Sequence, residues 1–242
     1  NGDCDPRTCL LLAAIENRNP AAVQMLIDAK ASVGEMYDVG EAESVDILRY
    51  TFDYCNFHSR SDHSIFASML HHAVVYGQSV VVKLLLEKKV SVNVTDGDGQ
   101  TPLMVAVDAD FTNADIVRLL IAAKASLDAR DKQKNTALTL AIPGAEGDDC
   151  EILRLLLDAR ASTEITGKNG DTPLLAAIRE DEEEAAKLFI KAKANVDAKG
   201  RDGMTPLMLE VKRHGFTELV LLLLHAKASL EDQDDEGKTA LM

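Results

Sequence analysis

Asp96-Gly-Asp-Gly-Gln-Thr-Pro-Leu-Met104 decides the fold, because its last four residues come back along the chain at a nearly fixed interval. Thr101-Pro-Leu-Met is followed by Thr136-Ala-Leu-Thr, Thr172-Pro-Leu-Leu, Thr205-Pro-Leu-Met and Thr239-Ala-Leu-Met, and the steps are 35, 36, 33 and 34 residues. Ser68-Met-Leu-His lies 33 residues before Thr101, and Cys9-Leu-Leu-Leu opens the series. A second phrase falls between these anchors: Ala29-Lys-Ala-Ser-Val33, Lys88-Lys-Val-Ser-Val92, Ala123-Lys-Ala-Ser-Leu127, Ala159-Arg-Ala-Ser-Thr163, Ala192-Lys-Ala-Asn-Val196 and Ala226-Lys-Ala-Ser-Leu230. A period of this length marks a repeat architecture in which one supersecondary unit is copied.

Each copy makes local sense. A Thr before Pro is a good helix N-cap, since its hydroxyl accepts an orphan backbone N–H while Pro occupies the first helical position. The spacing predicts a short helix over Pro102–Asp108 and a second over Ala114–Ala123, with Ile116, Val117, Leu119, Leu120 and Ile121 apolar and Arg118 facing outward. Gly/Asp segments such as Asp96-Gly-Asp-Gly99, Gly167-Lys-Asn-Gly170 and Gly200-Arg-Asp-Gly203 then turn the chain toward the next Thr. Neither helix can bury its apolar face alone, so neighbouring units must stack.

The unit resembles the ankyrin repeat, with its Asp-x-x-Gly-x-Thr-Pro-Leu-His opening and Val-x-x-Leu-Leu second helix. Asp96–Met104 and Gly203-Met-Thr-Pro-Leu207 match it closely, and the pattern covers about 200 of 242 residues. The resemblance implies an all-α solenoid of stacked helix-turn-helix units with short hairpin fingers. The units fall near 5–33, 64–95, 96–130, 131–166, 167–199 and 200–233, with a partial seventh at 234–242 and an insert at 34–63. It also implies a non-catalytic protein–protein interaction module, expected here as a peripheral or assembly subunit of a larger complex. Two other readings stay open: a regulatory ankyrin segment of a larger enzyme or channel, and a scaffold inside a very long array. In such arrays fingers and first helices form the concave face. Position in the repeat then places Tyr76, Gln100, Asp108, Asn135, Asp171, Arg179, Glu180, Met204, Lys212 and Arg213 as exposed candidates.

Composition narrows the function. Forty acids against 26 bases give a formal charge of −14, which disfavours nucleic acid, whose phosphates need a basic surface. Trp is absent and aromatics make up 4%, so the core must be built from Ala, Leu, Ile and Val. Cys4, Cys9, Cys55 and Cys150 are widely spaced, as expected of free thiols in a reducing compartment, cytoplasm or organelle interior. The longest apolar runs, such as Leu219–Leu224, fall far short of a membrane span. A chain that starts at Asn1 and stops at Met242 in mid-pattern is expected to be a piece of a longer protein.

Three departures from the family pattern stand out. Where it usually has Gly after the second helix, this chain has Lys30, Lys89, Lys124, Arg160, Lys193 and Lys227. A left-handed backbone there would cost about 1 kcal/mol per site relative to Gly. A cation at a helix C-terminus returns ~0.3–1 kcal/mol. The six cations are either that offset or a row, at about 10 Å intervals, that meets an acidic partner or anionic headgroups. The second departure is an insert of about 26 residues near Gly34–Ala67, holding Tyr37, Tyr50, Phe52, Tyr54, Phe57 and Phe66, six of the ten aromatics. Glu41–Phe57 reads as an amphipathic helix with Val45, Leu48, Phe52 and Cys55 near one face. The insert is either a degenerate repeat or an anchoring element for a partner, since buried Tyr and Phe dominate interface hot spots. Third, the outward position of the second helix reads Gln24, Lys83, Arg118, Arg154 and Lys187, then becomes Leu221, close to Phe216. A C-terminal extension covers this patch, or it is a second contact surface.

Catalytic and cofactor chemistry find no foothold. Cys55-x2-His58-x4-His63 offers three ligand types without structural-zinc spacing. The run Glu180–Glu184 reads as a solvated loop between helices, and the glycine turns lack the Walker ending. His71 stands where the family's His bonds hairpin and helix termini; His72 has no assigned role. No enzyme activity, metal or cofactor is expected.

Overall fold

The computed structural model describes residues 6–28, 37–38, 66–67, 69–108, 113–143 and 150–242. The chain divides into two compact units, Asn1–Ala125 and Ser126–Met242. In the first, α1 (Pro6–Glu16) pairs with α2 (Pro20–Asp28), α3 (Met69–Val75) with α4 (Ser79–Glu87), and α5 (Pro102–Asp108) with α6 (Ala114–Ala122). First helices α1, α3 and α5 pack in one row and α2, α4 and α6 in another. The second unit repeats the arrangement. Helices α7 (Ala137–Leu140), α9 (Pro173–Arg179) and α11 (Pro206–His214) line one row, and α8 (Glu151–Asp158), α10 (Glu183–Lys191) and α12 (Glu218–His225) the other.

The apolar positions of the repeat are the core. Leu103, Leu138, Leu174 and Leu207, each following the Pro or Ala after the Thr, are fully buried, as are Val117, Leu153, Ala186 and Val220 of the second helices. Small Ala side chains and Leu side chains, which do not branch at Cβ, let these short helices pack without aromatic filling, Phe189 being the one large ring in the core of the second unit. Thr101, Thr136 and Thr205 accept the backbone N–H of Met104, Thr139 and Met208 at 3.3, 3.3 and 3.4 Å, as the N-cap reading expects. Thr172 departs from it. Its hydroxyl caps nothing and is buried without a partner, and nothing in the structure accounts for this.

The second helices end alike. Lys89, Lys124, Arg160, Lys193 and Lys227 have φ of 61, 63, 68, 65 and 66°, so the backbone is left-handed at each non-glycine residue, as the repeat register predicts. Around Lys124, Lys124 N–H reaches Ile121 O at 2.9 Å and Ala125 N–H reaches Leu120 O at 3.0 Å, and the same pair of bonds recurs at the other four ends. This is the Schellman motif, completed by a buried contact residue after the cation (Val90, Ala125, Ala161, Ala194 and Ala228). Lys30 lies outside the described residues.

The fingers are held by short carboxylate turns. Asp96 accepts from Asp98 and Gln100 N–H, and Asp234 from Glu236 and Lys238 N–H. Gly203 is required twice over. Its φ is +67°, and a Cβ there would lie 2.7 Å from the backbone N of Asp235 in the following finger. Gly203→Ala is expected to cost about 2 kcal/mol in urea unfolding, against about 1 kcal/mol for Gly170→Ala. Gly170 has a similar φ of +79°, but its Cβ would meet nothing within 4 Å.

One element was not legible in the sequence. Tyr37–Asp38 (β1) and Phe66–Ala67 (β2) pair antiparallel, Tyr37 opposite Ala67 and Asp38 opposite Phe66. The chain on either side of 39–65 is therefore clasped together, and the repeat register resumes at α3.

Candidate functional site

The residues expected on the exposed face divide sharply. In the second unit, Asp171 and Met204 are buried, at 4% and 9% exposure, and so are not available to a partner. The next finger causes both. A Cβ on Gly200 would lie 2.4 Å from Asp171 Oδ1, so that backbone lies directly on the carboxylate, and Arg179 Nε pairs with Asp171 Oδ2 at 2.9 Å. Asp235 closes over the turn preceding Met204 in the same way. Neither cover could be read from local sequence, because it comes from about thirty residues downstream.

The two arginines are spent inside the chain. Arg179 bridges Asp171 and Asp202, the latter at 3.2 Å. Arg213 donates Nη1–H to the Arg179 carbonyl at 2.6 Å and Nη2–H to Asp181 Oδ1 at 2.7 Å. His214 Nε2 reaches the same carboxylate oxygen at 2.9 Å. Asp181 thus joins one repeat to the next from a left-handed position (φ 64°), the slot that Arg18 and Gly77 fill elsewhere. Its role was missed in the acidic run Glu180–Glu184, although the matching Gly77 was a usable signal. Only Glu180, Asp181 and Glu182 lie between α9 and α10; Glu183 and Glu184, expected in the same loop, form the first turn of α10, where acids suit the helix N-terminus.

A further set of acids was also missed. Asp128, Glu164 and Asp197, two residues after the Ser or Asn of each Lys-Ala-Ser phrase, accept the N–H of Ser162, Asn195 and Ser229 at 2.9, 3.0 and 2.8 Å. Cations cross the fingers too: Arg130 donates to Thr166 O at 2.7 Å and Lys199 to Gln233 O at 2.7 Å. On the outer face Lys187 lies 2.9 Å from both Glu184 and Glu183 and 3.4 Å from Glu218. The Glu184 bond, then the Glu183 bond, holds its ammonium well above the usual lysine range. These contacts are thus made within the unit itself.

What stays open is limited. Lys212 is exposed and has no ion pair among the described residues. Tyr76 is half-buried, its ring stacked on His72 with centroids 6.5 Å apart. Leu221 is 50% exposed and Phe216 81%. They occupy the N4 and N′ positions around the Thr217 cap of α12, the places of a hydrophobic staple. Asp108 ends α5 and Tyr37 lies on β1, but their side chains, like Tyr50, Phe52, Tyr54, Phe57 and the expected helix over Glu41–Phe57, fall outside the described residues. Cys55, His58 and His63 do as well.

His71 is buried and its Nε2 lies 3.0 Å from the Gln100 carbonyl, which can only accept, so the ring donates from Nε2 as a neutral imidazole. Burial pushes His71 down to about 4. Burial, then the neighbouring His71, pushes His72 to about 4 as well. Both rings therefore serve structure at neutral pH. Among the described residues no group of His, Cys, Asp and Glu is placed to hold a metal ion, and no helix is long and apolar enough to cross a membrane. A cavity of about 100 Å³ beside Glu210 and His214 is small for a ligand pocket, which spans ~300–1,000 Å³.

The family model for ankyrin repeats (three copies) matches residues 70–162 and 144–234. Neurogenic locus notch homolog protein 1 of Danio rerio is 35% identical over 130 residues, and that of Homo sapiens is 32% identical over 129. Each match covers 51% of this chain and 5% of the relative, so the chain spans a small part of their length. A crystal structure of the ankyrin repeat domain of Bcl-3, a member of the IkappaB family, superposes with a TM-score of 0.73 at 22% identity, over 100% of this chain and 94% of that one.

Proposed function

The chain belongs to the ankyrin-repeat family, whose repeats are protein–protein interaction modules, and from that premise we propose that it is a non-catalytic binding subunit of a larger assembly that holds its partner through the insert at 34–63. The clasp carries this reading. Pairing Asp38 with Phe66 joins the ends of 39–65, so the insert leaves and rejoins the repeat framework at one point. The same stretch concentrates Tyr50, Phe52, Tyr54 and Phe57 in a chain that has few aromatics. Large, rigid aromatic side chains supply contact area at low entropic cost. Arg179 and Arg213, engaged internally, act as joints between repeats in this reading, while Tyr76 extends the contact within the first unit and Lys212 and Leu221 are separate candidates on the second.

The test uses the clasp. Replacing residues 39–65 by Asn-Gly, the natural turn for a two-residue hairpin, leaves β1 and β2 their own register. Quantitative co-purification from the native source is expected to lose the partner at least tenfold, with helical circular dichroism unchanged. Undiminished recovery of the same partner would reject the insert as the anchor. The other reading, a regulatory segment of a larger enzyme or channel, is favoured by the 5% share of the notch relatives that the match occupies, since repeat blocks of this kind sit within long polypeptides. Co-elution as a separate polypeptide supports the subunit reading; a single long reading frame carrying a catalytic or membrane domain supports the segment.

A further inference from the structure

In the second unit Arg160, Lys193 and Lys227 stand at the same place on three stacked neighbours, just past the ends of α8, α10 and α12. All three are exposed, and none has an ion pair or side-chain hydrogen bond among the described residues. Lys191 and His225 stand two residues earlier, at the ends of α10 and α12. Asp158 is the one acid in the last turns of these helices. Lys187, Arg179 and Arg213, by contrast, are matched internally. Each of the three cations also holds a left-handed backbone that glycine would adopt more cheaply. Local structure thus does not require a cation at any of them.

The spacing selects a ligand. Packed helices lie about 10 Å apart, so a partner must offer anions at that pitch. An extended strand alternates its faces and repeats at ~6.6 Å. A polyproline II segment turns once in three residues and rises about 9.3 Å in doing so, which puts residues i, i+3 and i+6 on one face at the required pitch. A helix would need acids at every seventh residue and a length that is marginal in isolation. We propose that the Arg160–Lys193–Lys227 edge docks an acidic polyproline II segment of a protein partner, with one carboxylate in every three residues. This inference rests on the chain being an interaction module but not on the insert being its anchor.

The probe is a fluorescent peptide of four Glu-Pro-Pro triplets, titrated with the full 242-residue chain at about 50 mM salt, where exposed ion pairs are weakly screened. The comparison peptide carries the same four Glu residues at every fourth position. The triplet peptide is expected to bind at least tenfold more tightly. The variant Arg160→Gly/Lys193→Gly/Lys227→Gly should bind it about thirtyfold more weakly, at about threefold per exposed pair, while melting above the parent. Loss of binding therefore cannot be ascribed to misfolding. The protein with 39–65 replaced by Asn-Gly should bind as the parent does, which separates this inference from the insert. Equal binding of both peptides, or an unchanged triple variant, would overturn the proposal. So would tighter capture of phosphatidylserine vesicles, or of a helical peptide with an acid at every seventh residue.

Discussion

Lowering the pH from 7 to 5 is expected to remove about 4 kcal/mol of stability from the first unit, and two histidines are responsible. His71 and His72 lie side by side on α3, both buried, and burial depresses each from an ordinary value of 6.5 to about 4. A depressed folded-state value means that the unfolded chain binds more protons in the window between the two. The stability contribution is therefore fully present above about pH 6.5 and is lost as the pH falls toward 4. Each ring costs about 1.4 kcal/mol per pH unit in that window, so 1.5 units and two rings give about 4 kcal/mol at pH 5. Against a domain stability of ~5–15 kcal/mol this is a large fraction. Urea unfolding at pH 7 and pH 5 measures it directly. Hydrogen exchange should place the opening in α3 and its neighbours α1, α4 and α5. The double variant His71→Gln/His72→Leu should flatten the profile, because Gln keeps a donor for the Gln100 carbonyl and neither new side chain titrates. A variant as acid-sensitive as the parent would show that other groups carry the effect.

The second large effect runs the other way. Replacing Lys89, Lys124, Arg160, Lys193 and Lys227 together by glycine is expected to raise stability by about 3 kcal/mol and the melting temperature by about 6–12 °C. Each residue sits at φ between 61 and 68°, where an L side chain costs about 1 kcal/mol more than Gly. Losing the cation at the helix C-terminus offsets a third to a half of that, ~0.3–0.5 kcal/mol for an exposed group. Alanine is the control. It drops the charge but keeps the backbone strain, so the five-alanine protein should be less stable than the parent. If glycine and alanine behaved alike, the left-handed strain would not be the cause.

The parts of the fold written locally were readable. Thr-Pro spacing located α5, α9 and α11, and the Lys-Ala-Ser phrase located the left-handed ends, because capping and Schellman geometry are settled within five or six residues. The face was harder. Asp171 and Met204 were read as exposed from their slot in the repeat, yet their cover comes from the backbone at Gly200 and from Asp235. The slot of Arg213 makes it an exposed candidate, yet a carbonyl and a carboxylate one repeat earlier hold its guanidinium. Side-chain employment across a repeat boundary depends on what the neighbouring copy supplies, and the copies differ most at those positions. The β1–β2 clasp was illegible for a related reason: two-residue strands carry too little pattern to register.

The joints made by Asp128, Glu164 and Asp197 have a consequence for how such a chain changes over generations. Each carboxylate receives the amide of the next copy, and the receiving and donating groups hold matching places at all three joints. Cutting out or duplicating one whole copy rejoins a matching acceptor to a matching donor. The anchors step by 33 to 36 residues while the joints still form, so the loops inside a copy absorb small changes in its length. Copy number is therefore a cheap variable for this protein, and its length is free to change by whole copies.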